Sequence, residues 1–178
     1  MRIIGGLLKG RRFNPPAGIP ARPTTDIAKE GLFNTLENMM DLEDIRTCDI
    51  FGGTGSISYE LASRGAADLT LIERDALSVA FIKKTALLLG IEDKLKIIKG
   101  DVFKFIKQKH LPYDFIFAGP PYALQNIDDL PILVFEQKML NPEGIFVLEH
   151  TPRNDYQQHS NFLRMKNYGT TVFSFFKQ

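Results

Sequence analysis

Apolar and polar positions alternate along this chain with two different periods. Short runs rich in β-branched and aromatic residues occur at Thr47–Phe51, Leu69–Glu73, Leu95–Ile98, Tyr113–Ala118 and Ile145–Glu149, and predict strands. Between them, Ser56–Ser63, Ala76–Leu89, Phe103–Lys109 and Leu130–Leu140 carry helical patterning. An earlier helix is expected from Asp26 toward Met40, capped by Thr24 or Thr25, with Ile27, Leu32, Phe33 and Leu36 on its buried face. Repeated strand–helix alternation implies a parallel sheet covered on both faces, because each right-handed crossover returns over the sheet. The expected fold is therefore doubly wound α/β. The tail breaks this rhythm: Phe162–Lys166, the turn Asn167-Tyr168-Gly169 and Thr170–Phe176 read as two strands with no helix between them, which adds an antiparallel C-terminal strand. At the other end, Arg2–Gly6 and Leu7–Phe13 predict an N-terminal β-hairpin extension, and a Pro- and Gly-containing linker runs on through Pro23. The chain thus divides into a hairpin and linker, residues 1–22, and a main unit, residues 23–178, which together form one globular body.

Composition narrows the class. With 178 residues, 44% of them hydrophobic and 24% charged, the chain can bury a core and is not a disordered segment. Cys48 is the only cysteine, which excludes an intrachain disulfide and a thiol metal cluster. Charged residues interrupt every apolar run before the roughly 18–20 residues needed to span a bilayer, and nothing at the N-terminus reads as a signal peptide. A soluble, monomeric, cytoplasmic protein is expected. The formal net charge of +1 conceals an asymmetry: Arg2, Lys9, Arg11, Arg12 and Arg22 all precede the first acid, Asp26. Such a basic arm suits a phosphate backbone, although a solvated strand pair would have the same composition.

In doubly wound sheets, ligands sit at the carboxyl ends of the strands, and four motifs fall there. Asp49-Ile50-Phe51-Gly52-Gly53-Thr54-Gly55-Ser56 is a glycine turn that lets backbone approach a ligand ahead of a helix. It is not a dinucleotide fingerprint, since Ser58 stands where the third glycine would be. Glu73 ends the second strand about twenty residues later, at the spacing of an acid that binds ribose hydroxyls. Asp101 follows the third strand, where it could accept from an adenine amino group while Val102 packs on the ring; it equally suits the N-cap of the helix that follows. Gly119-Pro120-Pro121-Tyr122 follows the fourth strand. Its prolines fix a rigid turn with carbonyls and no competing N–H, and Tyr122 can stack on a flat base. Acceptors that hold amine hydrogens, together with an aromatic platform, are what in-line transfer to an exocyclic amine requires. No metal is needed for this chemistry.

With these motifs in place, the chain resembles class I S-adenosylmethionine-dependent methyltransferases of the Rossmann-like fold, and within them the bacterial family that methylates the exocyclic N2 of a guanine in small-subunit ribosomal RNA. The resemblance runs through Arg2–Gly6, Lys9-Gly10-Arg11, Arg22-Pro23-Thr24-Thr25-Asp26, Glu30, Leu32-Phe33-Asn34, Asp49–Gly55, Ser63-Arg64-Gly65-Ala66, Glu73 and Pro120-Pro121-Tyr122. The Arg-Pro-Thr-Thr-Asp segment is its most family-specific piece. The resemblance implies that Asp49, Phe51, Gly52, Gly53 and Gly55 surround the methionine part of S-adenosylmethionine, that Glu73 holds its ribose, and that Asp101 and Val102 frame adenine. It implies that Lys9, Arg11 and Arg12 meet the backbone of ribosomal RNA, free or in an assembling small subunit, with Arg22 and Thr24 at the substrate mouth. It also implies an unstacked or flipped guanine against Tyr122. The chain departs from the family's pattern in two places. Gly52 stands where alanine is usual. Gly119 stands where the family has Asp or Asn, whose side-chain oxygen takes the target amine, so one acceptor is missing from a loop otherwise built of Pro120, Pro121 and Tyr122. Losing one such partner costs roughly 10²- to 10³-fold in rate, unless a water or another carboxylate replaces it. A low-turnover cofactor- or RNA-binding protein of the same fold, and a methyltransferase acting on DNA or a small molecule, remain open on the sequence.

Overall fold

In the computed structural model, which describes residues 1–178, Thr25 opens the first helix, α1 (Asp26–Met39): its hydroxyl accepts from Ala28 N at 3.2 Å. Leu32, Phe33 and Leu36 are buried as expected, but Ile27 is 75% exposed. It precedes Leu36 by two and a half turns at about 3.6 residues per turn, so it points away from the core. Lys29 is buried on that face in its stead.

The alternation that follows resolves into β1 (Arg46–Asp49), α2 (Ser56–Ser63), β2 (Asp68–Glu73), α3 (Ala76–Leu89), β3 (Leu95–Lys99), α4 (Val102–Ile106), β4 (Tyr113–Ala118), α5 (Asp129–Glu136) and β5 (Leu140–His150). The tail forms β6 (Phe162–Tyr168) and β7 (Thr171–Lys177). Both later helices are shorter than their patterning suggests. α5 stops at Glu136 because Lys138 adopts a positive φ of 51° and Met139 already accepts from Tyr113 N at the start of β4.

The seven strands are ordered β3-β2-β1-β4-β5-β7-β6. The first five are parallel, and β7 pairs antiparallel with both β5 and β6. The second strand of the tail, not the first, lies against β5 because Thr171–Phe176 are buried throughout, whereas Leu163–Asn167 are exposed and suit an edge. One apolar cluster, including Leu32, Phe33, Leu71, Phe117 and Phe173, packs α1, α2 and α3 on one face; another, including Phe105, Ile116, Val134 and Phe146, packs α4 and α5 on the other. Strand order reverses at β1, between β2 and β4, opening a crevice at their carboxyl ends.

The N-terminal extension is hairpin-like but makes a single antiparallel bridge, Arg2 with Arg12, supported by Ile3 N to Arg11 O and Phe13 N to Met1 O. Much of its bonding goes to α2 instead. Glu60 accepts from Ile4 N at 2.9 Å and Gly5 N at 2.8 Å, and Ser63 accepts from Leu7 N and Leu8 N. Gly6 has a φ of 77°, and a Cβ there would fall 1.9 Å from Ser63 O, so only glycine lets the arm lie this close. Gly5-Gly6 and Ser63-Arg64 are therefore two halves of one docking contact.

Candidate active site

Asp49 ends β1 and is 2% exposed. Its Oδ2 accepts from Ser58 Oγ at 3.2 Å, while Oδ1 has no protein partner. Burial, opposed by the Ser58 hydrogen bond, pushes this carboxyl up to about 8. An orphaned buried carboxylate oxygen is costly unless a ligand or water donates to it. The ammonium end of an amino-acid-bearing cofactor is such a donor, so the site fits the group the resemblance implies. Past Asp49 the chain turns, with Gly52 N donating to Ile72 O, and Gly55 begins α2 in the left-handed conformation, φ 83°. At Gly52 the room an alanine methyl would take is filled by Leu71, whose Cδ2 lies 2.3 Å from the Cβ position.

Glu73, at the end of β2, reaches across the crevice. Its Oε2 accepts from Gly53 N and its Oε1 from Asp75 N, both at 2.8 Å. The acid and the glycine turn, paired by spacing alone in the sequence, are in direct contact. Phe51, Glu73, Asp101, Val102 and Leu124 line one small cleft, which brings the adenine- and ribose-framing candidates together. Asp101 also caps α4, accepting from Lys104 N at 3.0 Å, so both readings of this residue are compatible with its position. The linker crosses this region, with Ala21 Cβ 3.1 Å from where a Cβ on Gly53 would lie.

The loop after β4 stands beside this crevice. Pro120 is buried and its carbonyl accepts no hydrogen bond from the protein, whereas the Pro121 carbonyl closes the turn by accepting from Leu124 N at 3.0 Å. Tyr122 donates from its hydroxyl to Glu149 Oε1 at 3.1 Å and lies 3.2 Å from Thr171 Oγ1. The Arg22 guanidinium sits 4.7 Å above the Tyr122 ring and donates to Thr170 Oγ1 at 3.3 Å. Thr24 donates to Glu149 Oε2 at 3.2 Å. The Arg-Pro-Thr-Thr segment is thus held against the proline loop and the start of β7.

Glu149 is the site residue that sequence reasoning passed over. It lies at the end of β5, is 8% exposed, and bonds only to hydroxyls. Burial raises its carboxyl above the ordinary range, with the Tyr122 and Thr24 hydrogen bonds and the Arg22 charge acting in the other direction. The signal was present, since an apolar strand closing on an acid is the same pattern that singled out Glu73. What it lacked was a known partner at a fixed chain distance.

Among the arm residues, Lys9, Arg11, Arg12 and Arg22 are exposed. Arg11 donates to Leu88 O at 2.9 Å, tying the arm to the end of α3. Arg11 and Arg12 join Lys84 on the wall of an open groove of about 540 Å³ between arm and helix, floored by Phe81. Arg2, by contrast, is paired with Asp26 at 2.9 Å. No helix is long and apolar enough to cross a membrane.

The family described as Conserved hypothetical protein 95 matches residues 1–177, and the chain belongs to it. The Ribosomal RNA small subunit methyltransferase D of Escherichia coli (strain K12) is 33% identical over 155 residues, covering 86% of this chain and 76% of that protein. Solved structures under 25% identical share the fold. A hypothetical protein of Thermus thermophilus superimposes with a TM-score of 0.87 at 24% identity, covering 100% of this chain and 99% of the other. An RNA methyltransferase from Salinibacter ruber, in complex with S-adenosyl-L-homocysteine, does so with a TM-score of 0.67 at 20% identity, covering 88% and 93%.

Proposed function

We propose that this member of the family transfers a methyl group from S-adenosylmethionine to the exocyclic N2 of a guanine in small-subunit ribosomal RNA. The observation that carries the reading is a convergence. The carboxyl ends of β1, β2 and β4 bring an orphaned carboxylate (Asp49), a glycine turn held by Glu73, and a Pro-Pro-Tyr loop with a free carbonyl to one crevice. Relatives named as ribosomal RNA methyltransferases support the substrate class. In this reading Asp49 binds the cofactor's amino group, Glu73 its ribose, and Asp101 with Val102 its adenine. Held by these residues, the cofactor would supply an electrophilic methyl carbon on a sulfonium. Tyr122, already oriented by Glu149 and Thr171 and covered on one face by Arg22, presents the other face of its ring to a base lifted out of the stack, and the Pro120 carbonyl accepts a hydrogen bond from the amine. Lys9, Arg11 and Arg12 contribute charge for the RNA backbone.

The test is transfer of labelled methyl from S-adenosylmethionine to small subunits, or to their naked RNA, that lack the modification, followed by nucleoside analysis. N2-methylguanosine is the expected product. Label on another base atom would remove the N2 assignment, and cofactor binding without transfer to either substrate would favour the binding-protein reading that Gly119 motivates.

A further inference from the structure

We propose that Glu149, from the end of β5, is the acceptor that holds and deprotonates the target amine, in the space that Gly119 leaves open at the end of β4. The inference rests on the methyl-transfer reading and names the group that reading lacks. A Cβ built on Gly119 lies 3.4 Å from Glu149 Oε2 and 3.0 Å from Phe117 Cε1. An aspartate at 119 would thus direct its carboxylate into a space already bordered by one, and two carboxylates sharing a site cannot both stay ionised at ordinary pH. The carboxylate has not been lost from this corner of the site; it arrives on a different strand.

The surroundings of Glu149 suit the role. Two neutral hydroxyls hold it, Tyr122 on Oε1 and Thr24 on Oε2. No cation bonds to it, because Arg22 is engaged by the Tyr122 ring and Thr170. A carboxylate has about four lone-pair sites, so acceptor capacity is left over. Its donors also tie it to Tyr122, the platform for the base, and to the linker through Thr24. The amine would then donate one hydrogen bond to Glu149 and the other to the Pro120 carbonyl. As the nitrogen–carbon bond forms and the carbon–sulfur pair stays on sulfur, the nitrogen becomes cationic; the proton it sheds passes to Glu149 and then to solvent.

Two readouts test this separately from the methyl-transfer reading. The first needs no turnover: binding of guanosine monophosphate and inosine monophosphate, which differ by the exocyclic amine, to protein loaded with S-adenosylhomocysteine. The wild type should prefer the guanine nucleotide at least about tenfold, as expected for a hydrogen bond to a charged group. Glu149→Ala should abolish the preference, and Gly119→Asp combined with Glu149→Ala should recover it. Equal binding by the wild type, or a preference that survives in Glu149→Ala, overturns the proposal. The second readout is single-turnover transfer to small subunits. Glu149→Gln should slow it by about 10²- to 10³-fold, with the dissociation constant for S-adenosylmethionine changed by less than about threefold. An unchanged transfer rate in this variant also overturns the proposal. A wild type that prefers guanine but transfers no methyl would leave the amine contact standing and remove the methyl-transfer reading instead.

Discussion

Glu60, on α2, and Glu149, at the end of β5, are both carboxylates withdrawn from water, yet their surroundings are opposite in kind. Glu60 receives Ile4 N, Gly5 N and the Arg64 guanidinium, and Lys29, 1% exposed, lies 3.5 Å away. Arg64 is itself anchored to Glu37 and over the Phe33 ring. Glu149 receives two hydroxyls and no cation. A buried charge matched by opposite charge and backbone donors fixes one arrangement of the chain, here the arm on the main unit. A buried carboxylate without a cation keeps acceptor capacity for something outside the protein, at a cost to stability. Asp49, with one oxygen unpaired, belongs with Glu149.

Removing the matched charge should break the fold rather than the chemistry. Glu60→Ala leaves the buried Lys29 without its counter-ion and two backbone amides without their acceptor, while Arg64 keeps Glu37, and should cost about 3–5 kcal/mol, read from the shift of the urea unfolding midpoint. A loss below about 1 kcal/mol would mean that the network is not what holds the arm.

Glu149→Gln should do the reverse, leaving the unfolding midpoint unchanged or raised while transfer collapses. Its pH dependence sharpens the point. Glu149 must be ionised to accept the amine proton, so the wild-type rate should climb as pH rises through a value above the ordinary carboxylate range. The charged and titratable groups around Glu149 are Tyr122, Arg22 and Asp49, with the hydroxyls of Thr24 and Thr171 completing the shell. Persistence of the same acid limb in the Gln variant would assign it to Asp49, the one other group there that titrates below the phenol range.

Asp49→Asn should separate binding from stability more gently. The folded carboxyl is raised to about 8, above the unfolded value near 4. Folded Asp49 therefore keeps a proton that the unfolded chain releases, and wild-type stability should fall as pH climbs between these values. The asparagine variant should flatten that slope and gain on the order of 1 kcal/mol or more at pH 8, while its affinity for S-adenosylmethionine drops. Thermal melts from pH 4 to 8 beside cofactor titrations distinguish the outcomes.

The smallest effect is expected on the arm's exposed face. Lys9→Gln should move the unfolding midpoint by no more than about 0.5 kcal/mol, yet lower the salt dependence of RNA binding by about 0.7–0.9 in log–log slope. Filter binding over a salt series would show whether this residue meets phosphate.

The order of elements was readable because each strand and helix carries its own local pattern: an apolar run in Tyr113–Ala118, a capping threonine before Asp26, a β-prone, mostly apolar run in Thr171–Phe176. The glycine turn, Glu73 and the Pro-Pro-Tyr loop were readable for a related reason, since each sits where a local pattern ends. Ile27 was misplaced because burial of one helix face depends on what packs against it, and Lys29 is buried only because Glu60 and Ser56 meet it there.

By itself, the sequence determined the doubly wound fold class, the cofactor-type strand ends and the absence of a side chain at 119. Tertiary structure alone decided what stands beside that gap. Glu149 lies 27 residues from Tyr122 and 125 from Thr24 along the chain, and no spacing rule links them. Hydrogen bonds and close packing act through space, and only the pairing of β5 beside β4 brings that carboxylate to the loop.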